Sequence, residues 1–317
     1  MNEIGGYLEL EQFDGTPLYP DAIPLNTGRN ALEYLIRSRK IQTLAVPIYL
    51  CDSVHEVCAR NSVTVEYYHI DSAFHPILDD YVQEPSKFLY LVNYYGILTE
   101  EEICRLKAAY PNLILDQAQA FFQKMSFPID TIYSCRKFFG VPDGAYLYTT
   151  AHLDEKLEVD ASAERMVHIL GRFEGAASNY YSYFRKVEDM FSDLPLKQMS
   201  PLTKNLMNAV NYKKIYEKRK NNFEVLNQAF KDKNLPIFQR TKGLYCYPLY
   251  VSNGLELRKR LQSEGIYIPT LWADVLENKN SSKIEQDFSA NILPLPIDQR
   301  YNKEHMDQII HLIENLF

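Results

Sequence analysis

Asp116 and Lys137 are the residues of this chain whose types and spacing could do chemistry. Each closes a run with β-strand character, in Asn112-Leu-Ile-Leu-Asp116 and in Asp130-Thr-Ile-Tyr-Ser134-Cys-Arg-Lys137. A carboxylate and an amine at two strand ends of one α/β sheet are what pyridoxal 5'-phosphate needs. The amine condenses with the cofactor aldehyde, and the carboxylate keeps the pyridine nitrogen protonated, so that the ring can act as an electron sink. Ligands of open α/β sheets gather outside the carboxyl ends of the strands. Spacing alone leaves another reading open, in which Asp116 is a turn or helix-cap residue and Arg136-Lys137 a solvated basic step.

The surroundings bear on that choice. The stretch Leu113-Ile-Leu-Asp116-Gln-Ala-Gln119-Ala, followed by Tyr133-Ser134-Cys-Arg-Lys137-Phe-Phe-Gly140-Val-Pro-Asp-Gly144, resembles the DegT/DnrJ/StrS-type sugar aminotransferases. In that family an Asp-x-x-Gln/His segment and a downstream Ser-to-Lys segment bind the cofactor. Leu25-Asn-Thr27-Gly28-Arg29-Asn-Ala31-Leu32 is similar to the family's phosphate turn, and Val46-Pro47-Ile-Tyr-Leu-Cys51 to the strand carrying its ring-stacking residue. Ile292-Leu-Pro294-Leu-Pro296-Ile resembles the Leu-Pro run before its last helix.

The resemblance implies an α/β fold, PLP-dependent transferase fold type I, with a mostly parallel central sheet flanked by helices and a smaller C-terminal α+β domain. It implies pyridoxal 5'-phosphate as cofactor and Lys137 and Asp116 as catalytic residues. Gln119 would donate to the cofactor's phenolic oxygen, and Ser134, Gly28 and Arg29 would hold its phosphate. The reaction would move an amino group from a donor such as glutamate to a keto sugar, nucleotide-linked in surface-polysaccharide or secondary-metabolite pathways, in a homodimer. Three departures stand out. Cys51 falls where the family more often stacks an aromatic residue, with Tyr49 the substitute if the strand register differs; Ser134 lies closer to Lys137 than usual; and aligning the family's Asn-Tyr-Arg-Met segment on Met199 puts Leu196 in place of Asn. They keep a second class in view: a cofactor-binding regulator or non-catalytic dimer, or another pyridoxal chemistry on the same fold.

At 317 residues the chain can bury a sizeable core. A net charge of -7 argues against nucleic acid or an anionic membrane as main partner. The basic runs Lys213-Lys214 and Lys218-Arg219-Lys220 read as the solvated face of a helix. No basic segment followed by an apolar run opens the chain, and no apolar stretch reaches membrane-spanning length, so a cytoplasmic protein is expected. The five cysteines form no Cys-x-x-Cys pair, and HExxH, G-x-G-x-x-G and G-x-x-x-x-G-K-[ST] are all missing. Free thiols follow, with no metal, nicotinamide or P-loop site.

Between residues 25 and 150, short β-rich runs alternate with helical patterns, which calls for βαβ units and a largely parallel sheet. A helix starts near Arg29, strands cover Thr43 to Leu50, Val63 to Ile70 and Phe88 to Val92, and Thr99-Glu-Glu-Glu102 caps a helix running to Tyr110. Tyr94 and Tyr95, at a strand end, could face a sugar or nucleotide. Residues 160 to 200 yield no pattern. A helix from Thr203 to about Phe230 then connects a large domain, 1–205, to a small one, 206–317. There Leu244 to Val251 and Ile266 to Ile268 read as strands, Leu255 to Glu264 as a helix, and Met306, Ile309, Ile310, Ile313 and Leu316 as one face of a closing helix.

Overall fold

The computed structural model describes residues 4–315. Its first part consists of β1 (Ile23–Leu25), α1 (Gly28–Arg39), β2 (Thr43–Pro47), α2 (Asp52–Arg60), β3 (Thr64–Ile70), β4 (Pro76–Ile77), β5 (Lys87–Val92), α3 (Glu100–Ala109), β6 (Leu113–Asp116), β7 (Asp130–Ser134) and β8 (Ala145–Tyr148). The strands form one eight-stranded sheet in the order β1-β8-β7-β6-β5-β2-β3-β4. Strands β2, β3, β5, β6 and β7 pair in parallel; β8 runs antiparallel to β7 and to β1, and β4 antiparallel to β3. β5 lies at the centre, which is why its whole run Lys87 to Val92 is buried rather than alternating.

Local chemistry sets the element ends. Thr99 and Glu102 exchange both bonds of a capping box at the start of α3, and Tyr110 leaves the helical conformation, which the following Pro111 disfavours. β1 runs in the same direction as β7, so α1 begins at the sheet's carboxyl edge, where β6 and β7 end.

The remainder holds α4 (Val167–Glu174), α5 (Tyr181–Met190), α6 (Pro201–Asn208), α7 (Tyr212–Phe230), β9 (Tyr247–Tyr250), α8 (Gly254–Ser263), α9 (Lys283–Asn291), β10 (Ile292–Leu295) and α10 (Lys303–Glu314). β9 and β10 form a separate antiparallel pair. Leu226, Tyr247, Leu261, Leu293, Met306 and Ile313 share a second core with it, distinct from the one beneath the large sheet.

Several expectations are corrected here. Residues 160–200 form α4 and α5. The helix expected over Thr203 to Phe230 is two, because Asn211 leaves the helical conformation and its side chain accepts from Lys214 N–H to start α7. The Leu244–Val251 strand is shorter, beginning at Tyr247, since Leu244 takes a left-handed conformation at φ 54°. Ile266 to Ile268 make no strand: Gly265, at φ 79°, ends α8, and Ile266 N–H turns back to the Leu261 carbonyl. Arg219 is no part of a solvated face, being only 2% exposed. Leu316 lies outside the described residues. Among the described residues no helix is long and apolar enough to cross a membrane.

Candidate active site

β6 and β7 are neighbours, and Asp116 is paired in register with Ile132, so Asp116 and the turn after Ser134 lie side by side at the carboxyl edge. Asp116 Oδ1 accepts from Ala118 N–H at 2.7 Å and Oδ2 from the Tyr90 hydroxyl at 2.9 Å. Burial pushes the Asp116 carboxyl above its ordinary value, opposed by those two bonds and by the nearby Lys137 charge. A partly desolvated carboxylate with lone pairs to spare is suited to a cationic partner.

Lys137 ends a 3-10 turn, Cys135–Lys137, whose N-cap is Ser134. Ser134 spends no side-chain bond on that cap, which leaves its hydroxyl uncommitted there. The Lys137 side chain is solvent-accessible although protein atoms surround it, as befits a group in an open cleft. Its ammonium lies 6.0 Å from the centre of the Tyr245 ring. Tyr245 is the main influence raising the Lys137 pKa; burial works against it, and Cys51 and Glu188 add to it.

Gln119 is buried in a turn, and its Oε1 accepts from Tyr95 N–H at 2.7 Å, which turns its amide NH2 into the free donor. Gly28 is the first residue of α1 and packs near Ile132 on β7; with Arg29 it carries N–H groups that have no intrahelical partner. The Arg29 guanidinium pairs with Glu56 at 3.3 Å. It is also close enough to Arg136 to depress that residue's pKa, together with the larger effect of burial. Arg136 is held by Glu188 and stacks over Phe191 at 3.7 Å.

All six expected site residues therefore gather at one edge of the sheet. Tyr49 does not join them: it is fully buried and packs against Trp272, ring centres 4.5 Å apart, whereas Cys51 is exposed and near Lys137. Tyr94 and Tyr95, both 1% exposed, belong to the same aromatic cluster as Tyr49 and are closed off from the surface. Leu196 is buried in the core and brings no polar group. Sequence reasoning missed Tyr90, Arg136 and Tyr245, whose roles come from contacts across the fold. No local pattern marks any of them; Tyr90 lies in a run buried throughout and pairs across the strands with Ile114.

A cleft of about 860 Å³ opens above Lys137, walled by residues of α4 and α5 on one side and by Tyr245, Pro294 and Arg300 on the other. Asp116 and Gln119 do not line it. A second cavity of about 320 Å³ surrounds Asp130 at the opposite edge, where the Arg39 fork is already engaged by that carboxylate at 2.8 and 3.0 Å. Among the described residues no cluster of His, Cys, Asp or Glu could hold a metal ion.

No protein-family model matches the chain, and no curated protein matches it. Solved structures do. A DegT DnrJ EryC1 StrS aminotransferase from Brucella abortus superposes with a TM-score of 0.59 at 16% identity, over 93% of this chain and 85% of that one. Spr1654 from Streptococcus pneumoniae, solved in its PLP form, gives 0.64 at 15%, over 94% and 88%. PseC of Helicobacter pylori, an aminotransferase of pseudoaminic acid biosynthesis, gives 0.64 at 14%, over 93% and 86%. With its eight-stranded, mostly parallel sheet and nearly full-length superposition on these proteins, the chain has the fold of the sugar aminotransferases, PLP-dependent transferase fold type I.

Proposed function

We propose that this chain is a pyridoxal 5'-phosphate-dependent aminotransferase that carries an amino group from a donor such as glutamate to a keto sugar, nucleotide-linked. The observation that carries this reading is the side-by-side placement of Asp116 and Lys137 at the ends of adjacent strands, with Lys137 accessible from a cleft.

The donor set fits the cofactor. A dianionic phosphate suits the unpartnered N–H groups of Gly28 and Arg29, the Ser134 hydroxyl, and the positive field of Arg29 beside Arg136. Asp116 supplies the charge that holds a ring nitrogen protonated, and Tyr90 and Ala118 fix the orientation of that carboxylate. Gln119 offers its free amide NH2 to the ring oxygen, while Tyr95 N–H prevents the amide from turning over. Cys51 would lie against one ring face, in place of an aromatic side chain. When bound, the cofactor supplies an aldehyde that combines with amines and a ring that accepts an electron pair. Lys137 Nζ would hold the cofactor, and its amine is the group placed to take a proton from a substrate carbon in the cleft and to return one.

Two further parts of the reading are a cytoplasmic location and a homodimer in which 1–205 forms the cofactor domain and 206–317 the small domain. Tyr7 and Leu8 on the N-terminal arm and Phe173 on α4 are more than nine-tenths exposed, which supports an interface there. Spectral titration of the loaded protein tests the reaction: glutamate or a related donor should convert the bound aldehyde to the amine form, and a nucleotide-linked keto sugar should restore it. If no donor converts an aldehyde verified to be bound at Lys137, amino transfer is wrong, and the regulatory reading or another pyridoxal chemistry on the same fold takes its place.

A further inference from the structure

We propose that Tyr245, which lies on the bend leading into β9 and not on the large sheet, is a positioning residue for the Lys137 amine, its phenol steadying the ammonium in the cleft. The catalytic meaning of this contact rests on the function proposed above; the contact itself does not need the cofactor.

Lys137 forms no ion pair among the described residues. The charged and titratable groups around it are Cys51 after β2, Asp116 at the end of β6, Arg136 on its own turn, Glu188 on α5 and Tyr245. Two of these are engaged elsewhere: Glu188 binds Arg136, and Asp116 accepts from Tyr90 and Ala118. Arg136 repels. Of the others, Tyr245 presents a ring 6.0 Å from the ammonium, at the outer limit of cation-π attraction, and lines the same cleft.

What makes this contact more than a chance approach is how its two sides are tied together. The buried Arg219 donates through Nη1 to the carbonyls of Leu244, at 2.9 Å, and Tyr245, at 3.3 Å, and through Nη2 to that of Phe138 at 3.0 Å. Phe138 directly follows Lys137. Gln299 completes the clamp, accepting from Arg219 Nε at 2.9 Å and donating to the same Phe138 carbonyl at 2.8 Å. Every hydrogen-bonded partner of this guanidinium is a neutral oxygen, and burial pulls its pKa down to about 10. A buried cation whose hydrogen bonds all go to carbonyls is expensive to desolvate, and the Asp298 charge and the Phe138 ring at 4.7 Å offset part of that. Its position accounts for its presence, because it locks the lysine turn and the Tyr245 segment to each other across two layers. Leu244, strained at φ 54°, turns the chain immediately before Tyr245. The Tyr245 and Phe138 rings then meet at 5.9 Å.

The test uses cofactor-free full-length protein, so it is separate from amino transfer. Lys137 acetylation by acetic anhydride is followed by peptide mass spectrometry between about pH 8 and about pH 11. Because Tyr245 favours the ammonium, Tyr245→Leu should acetylate at Lys137 about threefold faster near pH 9, with Lys124 unchanged as the internal standard. Tyr245→Phe separates the parts of the phenol: a wild-type rate assigns the effect to the ring, and a rate like that of the Leu variant assigns it to the hydroxyl. Unchanged Lys137 labelling in both variants overturns the proposal. Should either variant fail to fold by circular dichroism, the reciprocal measurement decides. Lys137→Met should change the rate at which tetranitromethane nitrates Tyr245, because it removes the cation beside the ring; an unchanged nitration rate overturns the proposal as well. Failure of the wild-type protein to take pyridoxal phosphate at Lys137 would instead strike the function and leave this contact standing.

Discussion

Replacing Asp116 with Asn separates an electrostatic role from a structural one. The amide keeps the shape of the carboxylate. Its oxygen can still accept from Ala118 N–H, and its NH2 can face the Tyr90 hydroxyl, which rotates from donor to acceptor. The fold should therefore lose no more than about 1 kcal/mol, the value of one neutral hydrogen bond. What disappears is the charge. A carboxylate about 4 Å from a pyridinium charge, at an effective dielectric of about 20, is worth about 4 kcal/mol. If that energy acts in the transition state, donor-driven conversion slows about a thousandfold. Stopped-flow absorbance of the first half-reaction, at saturating cofactor and with a melting curve for each protein, measures both quantities. A fully loaded Asp116→Asn protein that reacts within about tenfold of wild type would refute the assignment and leave Asp116 as a turn residue.

The same carboxyl gives a pH signature without cofactor. Its pKa is raised in the fold above 3.8, so its contribution is fully present below that value and is lost as the pH rises through the folded pKa; urea titrations of the apo protein between about pH 3.5 and about pH 7 should show a smaller loss of stability for Asp116→Asn than for wild type. Gly243→Ala would put a Cβ 2.4 Å from the Gln119 carbonyl oxygen and 2.9 Å from Gly96 Cα, both backbone atoms. It should destabilise the protein by about 1–3 kcal/mol in denaturant titration and weaken cofactor binding through the displaced Gln119; an unchanged midpoint would show that the loop yields freely.

Residues that act through local patterns were readable in the chain. The Asp116 to Gly144 block, the α1 start at Gly28 and the capping box at Thr99 each depend on neighbours a few positions away, and the structure has them where expected. Contacts between distant segments were not readable. Tyr90 sits in a run buried on every side, and its bond to Asp116 depends on strand order. Arg219 looked like one cation in a basic run, because nothing local marks the carbonyls of Phe138 and Leu244 that draw it inward. α4 and α5 escaped notice because aromatic side chains stand on their exposed faces, Phe173 and Tyr181 among them, which blurs the helical period. Pro269 and Gly265 similarly bracket a short apolar run that resembles a strand by composition and serves as a helix end.

The central claim, that Lys137 is the residue that bonds the cofactor, is tested most directly by reducing the pyridoxal-phosphate-loaded protein with borohydride and mapping its peptides. The expected result is one stoichiometric phosphopyridoxyl adduct, on Lys137, missing from Lys137→Met. An adduct on another lysine, or no binding with excess cofactor, would contradict it.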